Sequence, residues 1–143
     1  MADSSKLTSF HELQVRFCET DLMGIVHHAN YLIYCEAARV DWLHKRGVSY
    51  DSWVAHGVHL PVVRANVQFK MAAQFDDLLR VETTMAELSR ASVRFTYRIT
   101  RGEDVVCEAE TMLACVNDKL RLQRLPAEVA EVFQRGEEGA VSS

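Results

Sequence analysis

The stretch Glu19-Thr20-Asp21-Leu22-Met23-Gly24-Ile25-Val26-His27-His28-Ala29-Asn30-Tyr31 gathers reactive groups just ahead of a helical pattern. A carboxylate such as Asp21 can attack an electrophilic carbon or take a proton from water. A helix N-terminus leaves backbone N–H groups free and carries the positive end of the helix dipole, so a carbonyl placed there is polarised. The N–H of His28 is the expected donor, with Gly24 allowing close backbone approach. Asn30 and Tyr31 would shape or orient the same site. Asp21 also has a plainer reading, as a loop residue making an Asx turn or capping bond.

A second carboxylate, Glu36, follows within the helical stretch. It reads as an ion pair with Arg39, three residues on, or as a group holding Asp21 or a water through indirect contacts. His27 and His28 are adjacent, and with His56 and His59 they show no standard ligand spacing, so no metal is expected. Cys18, Cys35, Cys107 and Cys115 form no CxxC pair and read as free thiols.

The elements that would position these groups follow from periodicity. Thr8–Phe17 reads as a first strand and the Asp21 segment as a loop. Asn30 is a plausible N-cap, or the helix starts nearer His28. The helix runs from about Tyr31 to Arg46 and stops before Gly47. Its first two turns are apolar on nearly every side, which predicts that other structure wraps them, whereas Asp41 to Arg46 return to water. A short helix or turn spans about Ser49–His56. Pro61 marks the extended run Val58–Phe69 as irregular at its start or as an edge strand.

The second half alternates as strands do. Leu79, Val81, Thr83 and Met85 share one face, and Val93, Phe95, Tyr97 and Ile99 share another, opposite Ser92, Arg94, Thr96 and Arg98. Gly102-Glu103-Asp104 predicts a hairpin turn. Val105–Val116 is apolar on both faces and should be central. A turn at Asn117–Lys119, a short strand at Leu120–Leu125 and a helix from Pro126 to about Gln134 complete the order. The pattern implies an α+β fold, one long helix enclosed by a curved antiparallel sheet of about five strands. The chain reads as a single domain over 1–143, with about 1–7 and 136–143 as flexible tails.

At 143 residues the chain can bury roughly two thirds of its unfolded surface without disulfide or metal staples. The net charge of -4 and the absence of a Lys/Arg-dominated run argue against nucleic acid. No apolar run approaches the roughly 20 residues that span a bilayer, and the first residues carry no signal-like core, so no membrane insertion and a cytoplasmic setting are expected.

The segment Phe17–Arg39 resembles the 4-hydroxybenzoyl-CoA thioesterase family, including its YbgC/FadM-type acyl-CoA thioesterases. The resemblance rests on Asp21, Gly24, Ile25-Val26, His28, Asn30-Tyr31, Glu36 and Arg39. It continues weakly through Phe75-Asp76-Asp77-Leu78 and Ser89-Arg90-Ala91-Ser92. The chain departs from the family at Ala72, where a proline is frequent, and at His28, where some members carry an aromatic residue.

The resemblance implies a hot-dog fold and hydrolysis of an acyl-CoA, with Asp21, Gly24 and the His28 N–H as catalytic groups. It points to Asn30, Tyr31, Arg90 and Ser92 as substrate-binding. CoA would be part of the substrate, and no separate cofactor is implied. A thiol of pKa about 8.5 leaves without much acid help, so one carboxylate can suffice. Arg64, Lys70, Arg90 and Arg94 are candidates for the CoA phosphates, although Arg94 and Arg98 also read as the solvated side of a strand. The resemblance further implies a homodimer or homotetramer with the groove between subunits. Competing readings are a thioesterase for acyl carrier protein, a hydratase of the same fold, and a noncatalytic acyl-thioester sensor or scaffold.

Overall fold

A computed structural model describes residues 4–138. Strands β1 (Thr8–Gln14), β2 (Val62–Phe69), β3 (Leu78–Leu88), β4 (Ser92–Arg101) and β5 (Asp104–Ala114) form one antiparallel sheet in the order β1-β3-β4-β5-β2. Helix α1 (Ala29–His44) packs on one face, and short helices α2 (Tyr50–Val54) and α3 (Ala127–Phe133) close its far end. This is the expected α+β, hot-dog architecture.

The period-2 faces decide the core. Leu79, Val81, Thr83 and Met85 of β3 are buried, as are Val93, Phe95, Tyr97 and Ile99 of β4. Trp42 of α1 meets Phe95 edge-on at 5.2 Å and stacks on Phe133 of α3 at 6.0 Å. Such aromatic pairs add about 0.5–1.5 kcal/mol each beyond their area. Strand β5 is flanked on both sides, as its two apolar faces require, and β2 is an edge strand following Pro61.

Several expectations are corrected. Helix α1 starts at Ala29 with His28 as N-cap, so Asn30 lies inside the helix and is not its cap. The helix is not wrapped on all sides within this chain. Tyr31, Tyr34, Cys35 and Ala38 are buried, but Leu32 is 39% and Ile33 52% exposed. Its C-terminal end does not return to water, since Trp42, Leu43 and Arg46 are buried. Glu36 is exposed and makes no pair with Arg39, whose guanidinium donates to the hydroxyls of Tyr50 and Tyr97. The strand expected at Leu120–Leu125 is reduced to a single bridge between Val116 and Leu122, because Asn117 Oδ1 accepts from the N–H groups of Lys119 and Arg121 and curls the chain.

The tail expectation falls partly outside the described residues, namely at 1–3 and 139–143. Within them, Ser4–Leu7 forms a 3-10 turn, and the Glu138 N–H donates to the Lys45 carbonyl at 2.7 Å. Arg46 ties these ends together. Its guanidinium lies 3.5 Å above the Trp42 ring. It donates to the Arg135 carbonyl (2.8 Å), Ser9 Oγ (2.7 Å), the Trp42 carbonyl (2.9 Å) and the Lys6 carbonyl (3.0 Å). Each of these hydrogen-bond acceptors is neutral, so the bonds on the buried guanidinium come from dipoles, and the Glu137 carboxylate adds an attraction through space. Replacing Arg46 by Met would orphan these acceptors and should lower unfolding free energy in urea by about 3 kcal/mol or more. A loss below about 1 kcal/mol would show that the clasp is dispensable.

Candidate active site

The loop between β1 and α1 is built around a carboxylate that sequence reasoning did not single out. Glu19 is 7% exposed. Its Oε1 accepts from the Arg16 N–H (2.8 Å) and the Tyr34 hydroxyl (2.9 Å), and its Oε2 accepts from Arg16 Nε (2.9 Å). Its backbone carbonyl accepts from the His27 N–H (2.9 Å) and Asn30 Nδ2 (3.0 Å). Burial alone would push the Glu19 carboxyl up, but the bonds from Arg16 and Tyr34 outweigh it and hold it below its ordinary value. Tyr34 is pushed well above its ordinary range by burial and by Glu19, so its proton stays on the hydroxyl. The signal in the sequence was a lone Glu three residues after Arg16, which resembles many surface pairs.

Glu19 thereby anchors both ends of a tight turn that carries Asp21. The Asp21 N–H donates to the Ile25 carbonyl (2.9 Å), and the Gly24 N–H returns to the Asp21 carbonyl (3.0 Å). Gly24 has φ +79°, and a Cβ there would meet nothing within 4 Å. Its glycine is therefore required by the left-handed backbone, not by a close approach. Asp21 Oδ1 accepts from the Met23 N–H at 2.8 Å, so the Asx-turn reading holds in the structure. That bond orients the carboxylate and leaves Oδ2 without a partner among the described residues.

The start of α1 satisfies its own amides unevenly. The Ala29 N–H donates to His27 Nδ1 (3.3 Å), the Asn30 N–H to the His27 carbonyl (2.9 Å) and the Tyr31 N–H to the His28 carbonyl (3.3 Å). The Val26 and His27 amides are used on Ala73 and Glu19. From Val26 to Tyr31 only the His28 N–H finds no acceptor among the described residues.

Asp21 and His28 line one cleft of about 350 Å³, with Tyr31, Ile25, Val26, Phe69, Lys70, Met71 and Ala72. Tyr31 is buried, and its oxygen accepts from the Ala73 N–H at 3.1 Å. Burial raises its pKa, so the hydroxyl keeps a proton to donate. Phe69 lies 5.4 Å from Tyr31 and 6.4 Å from His28. The far wall is braced by Asp77, whose Oδ2 accepts from Arg101 Nη1 and the Gln74 N–H at 2.8 Å each. Burial opposes the Asp77 charge, but these two donors win and lower its pKa.

The cleft therefore unites Asp21, His28 and Tyr31. Gly24 shapes the turn, and Asn30 stitches the loop through Glu19 rather than facing the cleft. Lys70 sits at the cleft, whereas Arg90 and Ser92 lie away from its walls. Arg94 pairs with Glu87 and Glu110, and Arg98 with Glu108, which fits the solvated-face reading. Glu36 and Arg39 line a different cavity beside Tyr50. His59 pairs with Asp118 at 2.7 Å, and His56 bonds the Ser52 carbonyl.

The profile of the thioesterase-like superfamily matches residues 15–135. The structure of the hypothetical protein TT1821 from Thermus thermophilus superposes with a TM-score of 0.83 at 38% identity, covering 87% of this chain and 96% of that one. The acyl-CoA thioester hydrolase YbgC of Escherichia coli O6:H1 is 30% identical over 125 residues, 86% of this chain and 93% of its own length. A 4-hydroxybenzoyl CoA thioesterase mutant, solved as a complex with 4-hydroxybenzoyl CoA, superposes with a TM-score of 0.77 at 27% identity, covering 89% and 99%.

The Glu19 brace has a pH signature. Its folded-state pKa lies below the unfolded 4.5, so its contribution is present above that value and is lost as pH falls through the lowered one. Glu19→Gln should therefore be less stable than the parent at neutral pH, with the gap closing as pH falls below 4.5 and through the lowered folded-state pKa. A gap that stays constant from neutral to acid pH would refute the brace.

Proposed function

As a member of the thioesterase-like superfamily the chain is a thioester hydrolase, and we propose that it converts acyl-CoA to free acid and CoA with Asp21 as the reacting carboxylate. The observation that carries this reading is the shared cleft. It holds an oriented carboxylate and, at the helix N-terminus, the His28 amide, with Asp21 Oδ2 and that amide both unpaired among the described residues.

The thioester carbonyl oxygen accepts from the His28 N–H, where the α1 dipole favours developing negative charge. The Tyr31 hydroxyl is a second donor on the same wall. Asp21 Oδ2 then attacks the carbonyl carbon, giving a mixed anhydride that water opens, or it takes the proton from an attacking water. In either course the C–S bond breaks and CoA leaves as thiolate, which needs little acid help near a pKa of about 8.5.

Apolar walls from Ile25, Val26, Phe69 and Met71 fit an acyl body, and Lys70 fits a phosphate. CoA is part of the substrate, so the reaction requires no separate cofactor.

We also assign a homodimer or homotetramer. β2 is an edge strand with Val62, Val63 and Phe69 exposed, beside the exposed Leu32 and Ile33 of α1. Pairing there covers an open sheet edge and an apolar surface together. Arg64, Arg90 and Ser92, which lie off this chain's cleft, then serve the substrate held by a neighbouring subunit. The buried free thiols Cys35, Cys107 and Cys115 suit a reducing, cytoplasmic setting.

Purified protein mixed with aromatic, short, medium and long acyl-CoAs should release thiol detectable with a thiol reagent. Asp21→Asn should cut turnover by about 10²–10⁴-fold while the fold is retained, as expected for loss of a reacting carboxylate. Thiol release from acyl-(acyl carrier protein) alone would shift the substrate class, and near-normal turnover of the Asn variant would remove Asp21 from the reaction.

A further inference from the structure

A second cavity, of about 440 Å³, lies beside the C-terminal half of α1. Its walls are largely apolar, with Val54, Val58, Leu60, Val116 and Leu120 among them. Arg39 lines it as well and is only 6% exposed. Arg39 Nε donates to the Tyr50 hydroxyl (3.1 Å) and Nη1 to the Tyr97 hydroxyl (2.9 Å). Tyr97 in turn shares a 2.7 Å hydrogen bond with Thr111 Oγ1.

These partners leave the site unfinished in two ways. Both acceptors are neutral, and among the described residues no carboxylate forms an ion pair with the buried guanidinium, which is a costly arrangement unless an anion joins it. Among the described residues its Nη2 has no hydrogen-bond partner and the hydroxyl of Tyr50, another lining residue, donates its proton to none. Guanidinium N–H and phenol O–H are both donors, so a ligand must present acceptors. The remaining polar wall groups do not supply them. His59 is held by Asp118, and the exposed Glu36, whose charge reaches Tyr50, makes no hydrogen bond or ion pair with Arg39 or Tyr50.

We propose that this cavity binds a monocarboxylic acid with an apolar body, its carboxylate on Arg39 Nη2 and the Tyr50 hydroxyl and its body against Val54, Leu60, Val116 and Leu120. One buried cation matches a single negative charge, and the apolar lining matches a hydrocarbon or aryl body. Within one subunit this site shares no wall with the Asp21 cleft and does not depend on how that cleft reacts.

Calorimetric titration of the full protein with octanoate and benzoate, against octanamide and benzamide, tests the proposal. The acids should bind, and the amides should bind about tenfold or more weakly, as for loss of a charge-assisted bond. Arg39→Gln should reduce acid binding to the amide level. Because that substitution touches the core, two surface changes stand beside it. Val54→Trp, at the exposed end of α2, should fill the cavity and abolish binding, and Glu36→Gln should tighten binding of the acids but not of the amides. Arg39 and Val54 line no part of the Asp21 cleft, so loss of binding in these two variants separates this site from the hydrolytic one. Inhibition of acyl-CoA turnover with a constant equal to the binding constant would identify the ligand as the acid product. Binding without inhibition would identify an acid from another source. Equal affinity for acid and amide, no heat with either acid, or unchanged binding in Val54→Trp would overturn the proposal.

Discussion

The buried Glu19 carboxylate is the constraint on which the Asp21 site depends. A charge at this depth is tolerable only when its lone pairs are filled, and Arg16 and Tyr34 fill them. Tyr34 belongs to α1 and Arg16 to the end of the first strand's connection, so one side chain fixes the distance between sheet and helix. The same residue's carbonyl takes the His27 and Asn30 donors. The turn that presents Asp21 is thus closed from both sides before any ligand arrives, which is the preorganisation that the proposed reaction at Asp21 would need.

The opposite end of α1 obeys a parallel rule with the sign reversed. Arg39 and Arg46 are both buried cations whose hydrogen-bond acceptors are neutral oxygens. Arg46 uses backbone and hydroxyl acceptors from the chain's beginning, middle and end, and so works as a clasp. Arg39 is less completely satisfied, with only two phenols, and it borders open space. The difference between a filled and an unfilled donor set separates a structural arginine from one able to meet a ligand.

Much of this was legible in the sequence, for identifiable reasons. The alternation in Leu79–Met85 and Val93–Ile99 is strict because each strand buries one face, and those faces form the core. The Asp21–Gly24 turn could be read from residue types that tolerate its backbone. What could not be read is long-range pairing. Glu19 carried no signal of burial, because its partner Tyr34 lies fifteen positions away. Glu36 and Arg39 looked like a helical pair, because helical spacing says nothing of Tyr50 and Tyr97 drawing the guanidinium inward. The apolar start of α1 predicted enclosure, yet Leu32 and Ile33 remain exposed in the single chain, since periodicity registers burial without saying what does the burying.

The central claim is that the α1 N-terminus and Asp21 act on the same carbonyl. A crystal structure of the Asp21→Asn protein with octanoyl-CoA bound tests it directly. If the proposed reaction holds, the thioester oxygen lies about 2.7–3.1 Å from the His28 nitrogen, with the carbonyl carbon facing residue 21. A thioester bound elsewhere, or one with its oxygen turned away from the helix, would contradict it.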